Sequence, residues 1–186
     1  MKFKAMIMLS GSLALCACGP RGETAGNDVN IAMDNGMANQ AMAPAPLTAQ
    51  GFANAAAASD RFEIESSRLA AASAQSAAVK SFADKMIAAH TASTAKLKAT
   101  AGAQSPAITP DDTLSPDQQS LLDSLKALKG ADFDSAYSAA QVNAHQAALD
   151  ALNGYAASGD NPKLKELASG MVPTVTAHLN MAKGLK

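Results

Sequence analysis

From Thr48 onward, apolar and small residues return at intervals of three and four through four long stretches, and no stretch alternates as a strand would. That period places one face of each stretch along a helix and requires a partner to cover it. The first stretch is expected from Thr48 to Ser73, with Phe52, Ala56, Ser59, Phe62, Ser66 and Leu69 on its inner face. The second opens at Ser76 and runs to about Thr100, with Val79, Ala83, Met86, His90, Ser93 and Leu97 inward. Gly102 and Pro106 close it. Ser115-Pro116-Asp117-Gln118 is a helix start with a capping serine, proline in the first turn and a glutamine able to reach back. The short helix it opens should bury Leu121, Leu122, Leu125 and Leu128 and stop at Gly130. Asp132 is expected to cap the third long helix, with Val142, His145, Leu149 and Leu152 inward and its end between Gly154 and Gly159. Asn161-Pro162 opens the fourth, which carries Leu164, Leu167, Met171, His178 and Leu185, and which Pro173 is expected to kink. Two antiparallel hairpins joined by a loop and a short crossover helix make an all-α, ferritin-like four-helix bundle over residues 47–186.

The N-terminus reads differently. Lys2 and Lys4 precede an apolar run, Ala5 to Leu15, that is too short to span a bilayer, which takes roughly 20 residues. A charged start, a short apolar core and small residues at the cut describe an export signal over residues 1–17. Leu15-Cys16-Ala17-Cys18 resembles the bacterial lipobox, which implies acylation of Cys18 with palmitate-type chains and a mature chain beginning there. No thiol is then left for a disulfide. Gly19 rather than Asp after the anchor favours the outer membrane, with the domain facing the periplasm. Residues 18–46 lack periodicity, close on Pro44-Ala45-Pro46 and read as a disordered tether reaching on the order of 30 Å. Met33, Met37 and Met42 in this stretch suit either a floppy linker or Cu(I) thioether ligation.

Without Lys2 and Lys4 the chain holds 13 basic against 16 acidic residues, and no basic block marks a nucleic-acid surface. The partner expected is the membrane, through the lipid.

The order Glu63-Ile64-Glu65, Ser67-Arg68-Leu69-Ala70, Val79-Lys80-Ser81-Phe82-Ala83, Met86-Ile87 and His90, followed by Phe133-Asp134, Tyr137, His145, Leu164-Lys165, Pro173 and His178-Leu179, resembles the ferritin-like family called domain of unknown function (DUF) 4142. The resemblance runs from about Gly51 to Leu185 and implies a helical bundle in an exported, outer-membrane setting, without an established reaction. Ala89 and Ala144 stand where many members carry an acidic residue beside the first two histidines.

Chemistry concentrates in the histidines. The chain has three, His90, His145 and His178, one on each of three long helices and each on an apolar stripe. Glu63 lies on or beside the inner face of the remaining helix. Imidazoles with a carboxylate suit a divalent transition metal such as zinc, copper or iron. Equally, each imidazole can be a core residue bonded to a carbonyl or hydroxyl. Counting from the interhelical turns puts Glu63 and His90 at similar depth and His178 about one turn deeper than His145. A ferritin-type di-iron centre is excluded, because Ile87, Val142 and Val175 occupy the positions three before the histidines where it needs glutamate. No nucleophile elbow or phosphate-binding glycine loop occurs. Two readings stand: a non-catalytic envelope or stress protein acting through its surface, and a bundle that binds metal through His90, His145, His178 and Glu63.

Overall fold

In the computed structural model, residues 48–185 are described, and they form five α-helices with no strand among them. These are α1 (Ala49–Ser73), α2 (Ala77–Gly102), α3 (Pro116–Lys126), α4 (Gly130–Ser158) and α5 (Pro162–Lys183). The signal, Cys18 and the methionine-bearing tether lie outside the described residues. None of these helices is long and apolar enough to cross a membrane.

Local chemistry sets several boundaries where the sequence puts them. Thr48 caps α1 through its hydroxyl, which accepts from Gly51 N. Ser115 and Gln118 close a reciprocal capping box on α3. Asn161 accepts from the amides of Lys163 and Leu164 at the head of α5. Ser76 precedes α2, but its side chain makes no cap; instead Asp134 of α4 takes the amides of Gln75 and Ser76 at 3.1 and 2.8 Å.

Other boundaries move. Asp132 does not cap α4: the helix begins earlier, at Gly130, with Lys129 as its N-cap and Asp132 in the first turn. Gly130 has φ +62°, a left-handed conformation that suits glycine, and it bridges Ala74 across the molecule. The chain can therefore turn straight from α3 into α4. α4 runs past Gly154 and ends at Ser158 with Gly159 as its C-cap, inside the limits the two glycines set. Pro173 lies inside α5, which continues through it to Lys183. The carbonyl that loses its donor there belongs to Ser169, which faces solvent and can bond water. Leu121 is 37% exposed rather than buried, and Leu128 is half-buried, because α3 packs through Leu122 and Leu125.

α1 pairs with α2 and α4 with α5; α1 also packs on α4 and α2 on α5, while α3 lies against α1 and α4. The interior divides into two apolar regions. One gathers Phe52, Ala53, Leu97, Tyr155 and Leu164, where Phe52 and Tyr155 stack at 4.1 Å. The other gathers Ala70, Val79, Met86, Phe133, Tyr137 and Ala182. Between these two regions every long helix buries polar residues: Asp60, Glu63, Ser66 and Ser67 on α1, His90 on α2, Gln141 and His145 on α4, His178 on α5. This layer positions the candidate site.

Candidate metal centre

A helix that buries polar groups must find partners for them, and the partners here are one another. On α1 the buried polar positions 60, 63 and 67 follow the three-and-four spacing, so one face presents all of them to the other helices. Ser67 Oγ and Tyr137 Oη share a hydrogen bond of 2.7 Å, and Gln141 Nε2 donates to Ser66 Oγ at 3.2 Å.

At the middle of the layer the three histidines meet. Their ring centroids are 5.6 Å apart for His90 and His145, 5.7 Å for His90 and His178, and 5.5 Å for His145 and His178. One nitrogen from each ring lies within 4.8 Å of those from the other two. All three are buried, at 7%, 1% and 8% exposure.

Two of the three rings are held through their Nδ1 atoms. His90 Nδ1 pairs with Asp60 Oδ1 at 2.7 Å, and Asp60 Oδ2 accepts from Thr94 Oγ1 at 3.1 Å. His145 Nδ1 donates to the carbonyl of Gln141 at 2.8 Å. His90 Nε2, His145 Nε2 and His178 Nδ1 are buried with no hydrogen-bond partner. Neutral imidazole carries one proton, so a bond from Nδ1–H leaves the lone pair on Nε2. Metal-ligating histidines are oriented in this way, through a carboxylate or carbonyl on the far nitrogen.

Charge within the layer is uneven. Burial lowers the His145 pKa to about 4, partly offset by the Gln141 carbonyl, and it lowers that of His178 to about 4, reinforced by the nearby charge of His90. Both are therefore neutral at pH 7, the form a ligand requires. Burial works to lower His90 as well, but its hydrogen bond to Asp60 and the charge of Glu63 outweigh it, and its pKa is raised. Burial pushes the Glu63 carboxyl up to about 7 against the opposing pull of His90.

The sequence-derived candidates are thus placed as follows. His90, His145 and His178 come together in one layer. The expected displacement of His178 is not observed: because α4 runs on to Ser158, His145 lies thirteen residues from its end and His178 sixteen from the start of α5. That difference is under one turn and within side-chain reach. Glu63 is buried beside them, its Oε1 3.8 Å from His145 Nδ1, but it is not one of the mutually close set. The residue missed from sequence is Asp60. It lies thirteen residues before the end of α1, and His90 lies thirteen after the start of α2, so counting outward from the turn pairs them. The helical period points to the adjacent Ser59 instead, which is only half-buried. Asp60 also supplies the carboxylate that Ala89 does not.

Three buried imidazoles converging from three helices fit a transition-metal ion. Imidazole suits zinc, copper, iron and nickel, and three protein ligands leave a position open.

Comparison with known proteins agrees with the helical reading. The family described as "Domain of unknown function (DUF4142)" matches residues 34–185. No curated protein sequence matches the chain. Two solved structures are similar: CopM in the Cu(II)-bound form, at 16% identity, and CopM in the Cu(I)-bound form, at 18%. Each has a TM-score of 0.61 over 74% of this chain and 94% of that chain. At such identity the likeness is one of fold.

Proposed function

The chain belongs to the DUF4142 family, and from that premise we propose that it binds one transition-metal ion, copper first, through His90, His145 and His178. One observation carries the reading: the buried ring nitrogens without a partner are on the three histidines that converge from α2, α4 and α5. The likeness to a fold described in copper-bound forms supports copper as the first metal to test. Copper also stands at the top of the affinity order for nitrogen sites among divalent ions.

We read the four long helices as a ferritin-like four-helix bundle whose midsection is the metal layer. Asp60 and the Gln141 carbonyl orient two of the ligands, and Glu63 adds a carboxyl beside His145. A bound ion would supply Lewis acidity and, for copper, a one-electron couple. The setting we propose is the one the N-terminus suggests, a lipoprotein anchored at Cys18 and carried on the outer membrane, facing the periplasm. No reaction is assigned to it.

Titration of the purified metal-free chain with Cu(II), Zn(II) and Fe(II) tests the proposal. One equivalent of copper should bind, raise the melting temperature by mass action and be removed by chelator. His145→Gln should abolish this. A wild-type chain that binds none of the three ions would overturn the reading.

A further inference from the structure

Beside the polar layer, a cavity of about 360 Å³ opens between α1 and α4, roofed by the start of α3 and floored by α5. Its walls are Phe52 and Phe62 from α1, Leu152 from α4, and Met171 and Val175 from α5. Alanines at 56, 144 and 148 keep it open, since any larger side chain there would project into it. Its polar groups are few: Asp60 and His90 at the layer, Ser59 beside them, and Asp117, Gln118 and Asn143 from α3 and α4. Ligand sites of roughly 300–1,000 Å³ commonly combine an apolar wall with a few convergent polar groups. His145 and His178 do not line this space, so it is not the metal position itself.

We propose that this cavity is a binding site for a small neutral molecule with an apolar body and one hydroxyl, a phenol or medium-chain alcohol, whose head donates to Asp60. Charge selects this class. Among the described residues no lysine or arginine lines the cavity, His90 is already paired with Asp60, and Asp117 stands at the rim with no ion-pair partner, so a carboxylate or phosphate head meets like charge. A cationic head would lose its water inside an apolar sleeve, a large cost even with one carboxylate partner. A neutral donor meets neither penalty. Each oxygen of Asp60 already accepts one bond, from His90 and from Thr94, and a carboxylate offers about four acceptor sites, so two remain. The site needs no metal and stands apart from the copper reading.

The test titrates the metal-free chain with 4-pentylphenol by calorimetry, alongside 4-pentylanisole, which has the same body and no donor. One saturable equivalent of the phenol is expected, with the anisole weaker by about tenfold or more, as a hydrogen bond to a charged acceptor implies. Ala148→Phe, and separately Ala144→Leu, should fill the cavity, remove phenol binding and leave copper stoichiometry unchanged. Three results would overturn the proposal: no saturable phenol binding by the wild type, equal binding of phenol and anisole, or binding indifferent to both filling variants. A dimer in sedimentation that Ala148→Phe dissolves would overturn it in favour of a second copy of the chain. Loss of copper binding by the wild type would sink the metal reading and leave this one untouched.

Discussion

Asp60→Asn isolates what the buried carboxylate does for the proposed metal centre. The residue is 3% exposed and nearly isosteric with asparagine, so the helix and its packing should survive the change. What is lost is the charge on a 2.7 Å contact to His90 Nδ1. Hydrogen bonds to a charged group contribute about 1.5–3 kcal/mol against about 0.5–1.5 for neutral pairs, so the change should cost the metal-bound state about 1–1.5 kcal/mol. That corresponds to about a tenfold loss of copper affinity, the lower end of the 10–100-fold typical of groups behind a ligand. Asparagine can still accept from His90 with its carbonyl, and Thr94 retains the His90 carbonyl as an acceptor, so a larger loss is not expected. The assay is competition against a chromophoric copper chelator at pH 7.5, with nitrogen NMR of His90 to follow its tautomer. Affinity within twofold of wild type, with the Nδ1–H tautomer unchanged, would refute the argument that Asp60 orients a ligand.

Because the three rings are equidistant, His90→Gln, His145→Gln and His178→Gln should each reduce copper affinity by more than Asp60→Asn does, measured by the same competition. A selective exemption of His178 would mean that it is not a ligand. In the metal-free chain, His145 and His178 titrate near 4 folded against 6.5 unfolded, so the unfolded state takes up their protons first and stability falls as pH drops through that window. Glu63, at about 7 when folded against 4.5 unfolded, protonates first in the folded state and offsets one of the two. Denaturant titrations should therefore give a net loss of about 1.4 kcal/mol per pH unit from pH 6.5 to 4.5, roughly doubled in Glu63→Gln; flat stability would contradict the burial of these groups. Cys18→Ser should leave the precursor unacylated, read by mass spectrometry of the membrane fraction, and an unmodified Cys18 in the wild type would defeat the lipoprotein reading. A chain begun at Leu47 should melt with the full mature chain; a large drop would show that residues 18–46 pack on the domain.

What was legible in the sequence is what local chemistry decides. Thr48, the Ser115–Gln118 box and Asn161 announce helix starts because capping needs only neighbours in sequence. The inner stripe of α2 was readable for the same reason, since Val79, Ala83, Met86, His90 and Leu97 are all buried at helical spacing. On α1 alanine blurs the pattern: with small residues at 53, 55, 56, 57 and 58, the apolar period is weak and the inward face was misplaced by one residue at Ser59. That single step hid Asp60. The start of α4 was misjudged because Lys129 and Gly130 take their conformation from contacts across the molecule, Lys129 Nζ to Ser73 Oγ at 2.7 Å and Gly130 to Ala74. No local signal carries that. The meeting of the three histidines depended on where α4 ends, and Gly154 looked like a stop because an isolated glycine costs a helix about 1 kcal/mol, a cost that packing on either side overrides here.

The polar layer also bears on why the three histidines are there at all. Alanine-rich helices bury little apolar area per residue, so each buried polar group left unsatisfied, costing about 1–3 kcal/mol, weighs heavily on such a domain. Of the buried side-chain atoms without a partner, Glu63 Oε1 and Oε2, His90 Nε2, Gln141 Oε1, His145 Nε2 and His178 Nδ1 belong to this one layer; Ser93 Oγ completes the set. Leucine or alanine at these positions would remove the penalty and join the two apolar regions into one core. Asp60 and the Gln141 carbonyl already hold the Nδ1 atoms of two rings, and the unpartnered ring nitrogens belong to three histidines whose ligand atoms lie within 4.8 Å of one another. A cation placed among them uses three lone pairs at once and turns a cost of folding into binding energy, which neither water-filled surface chemistry nor further apolar packing would explain as economically.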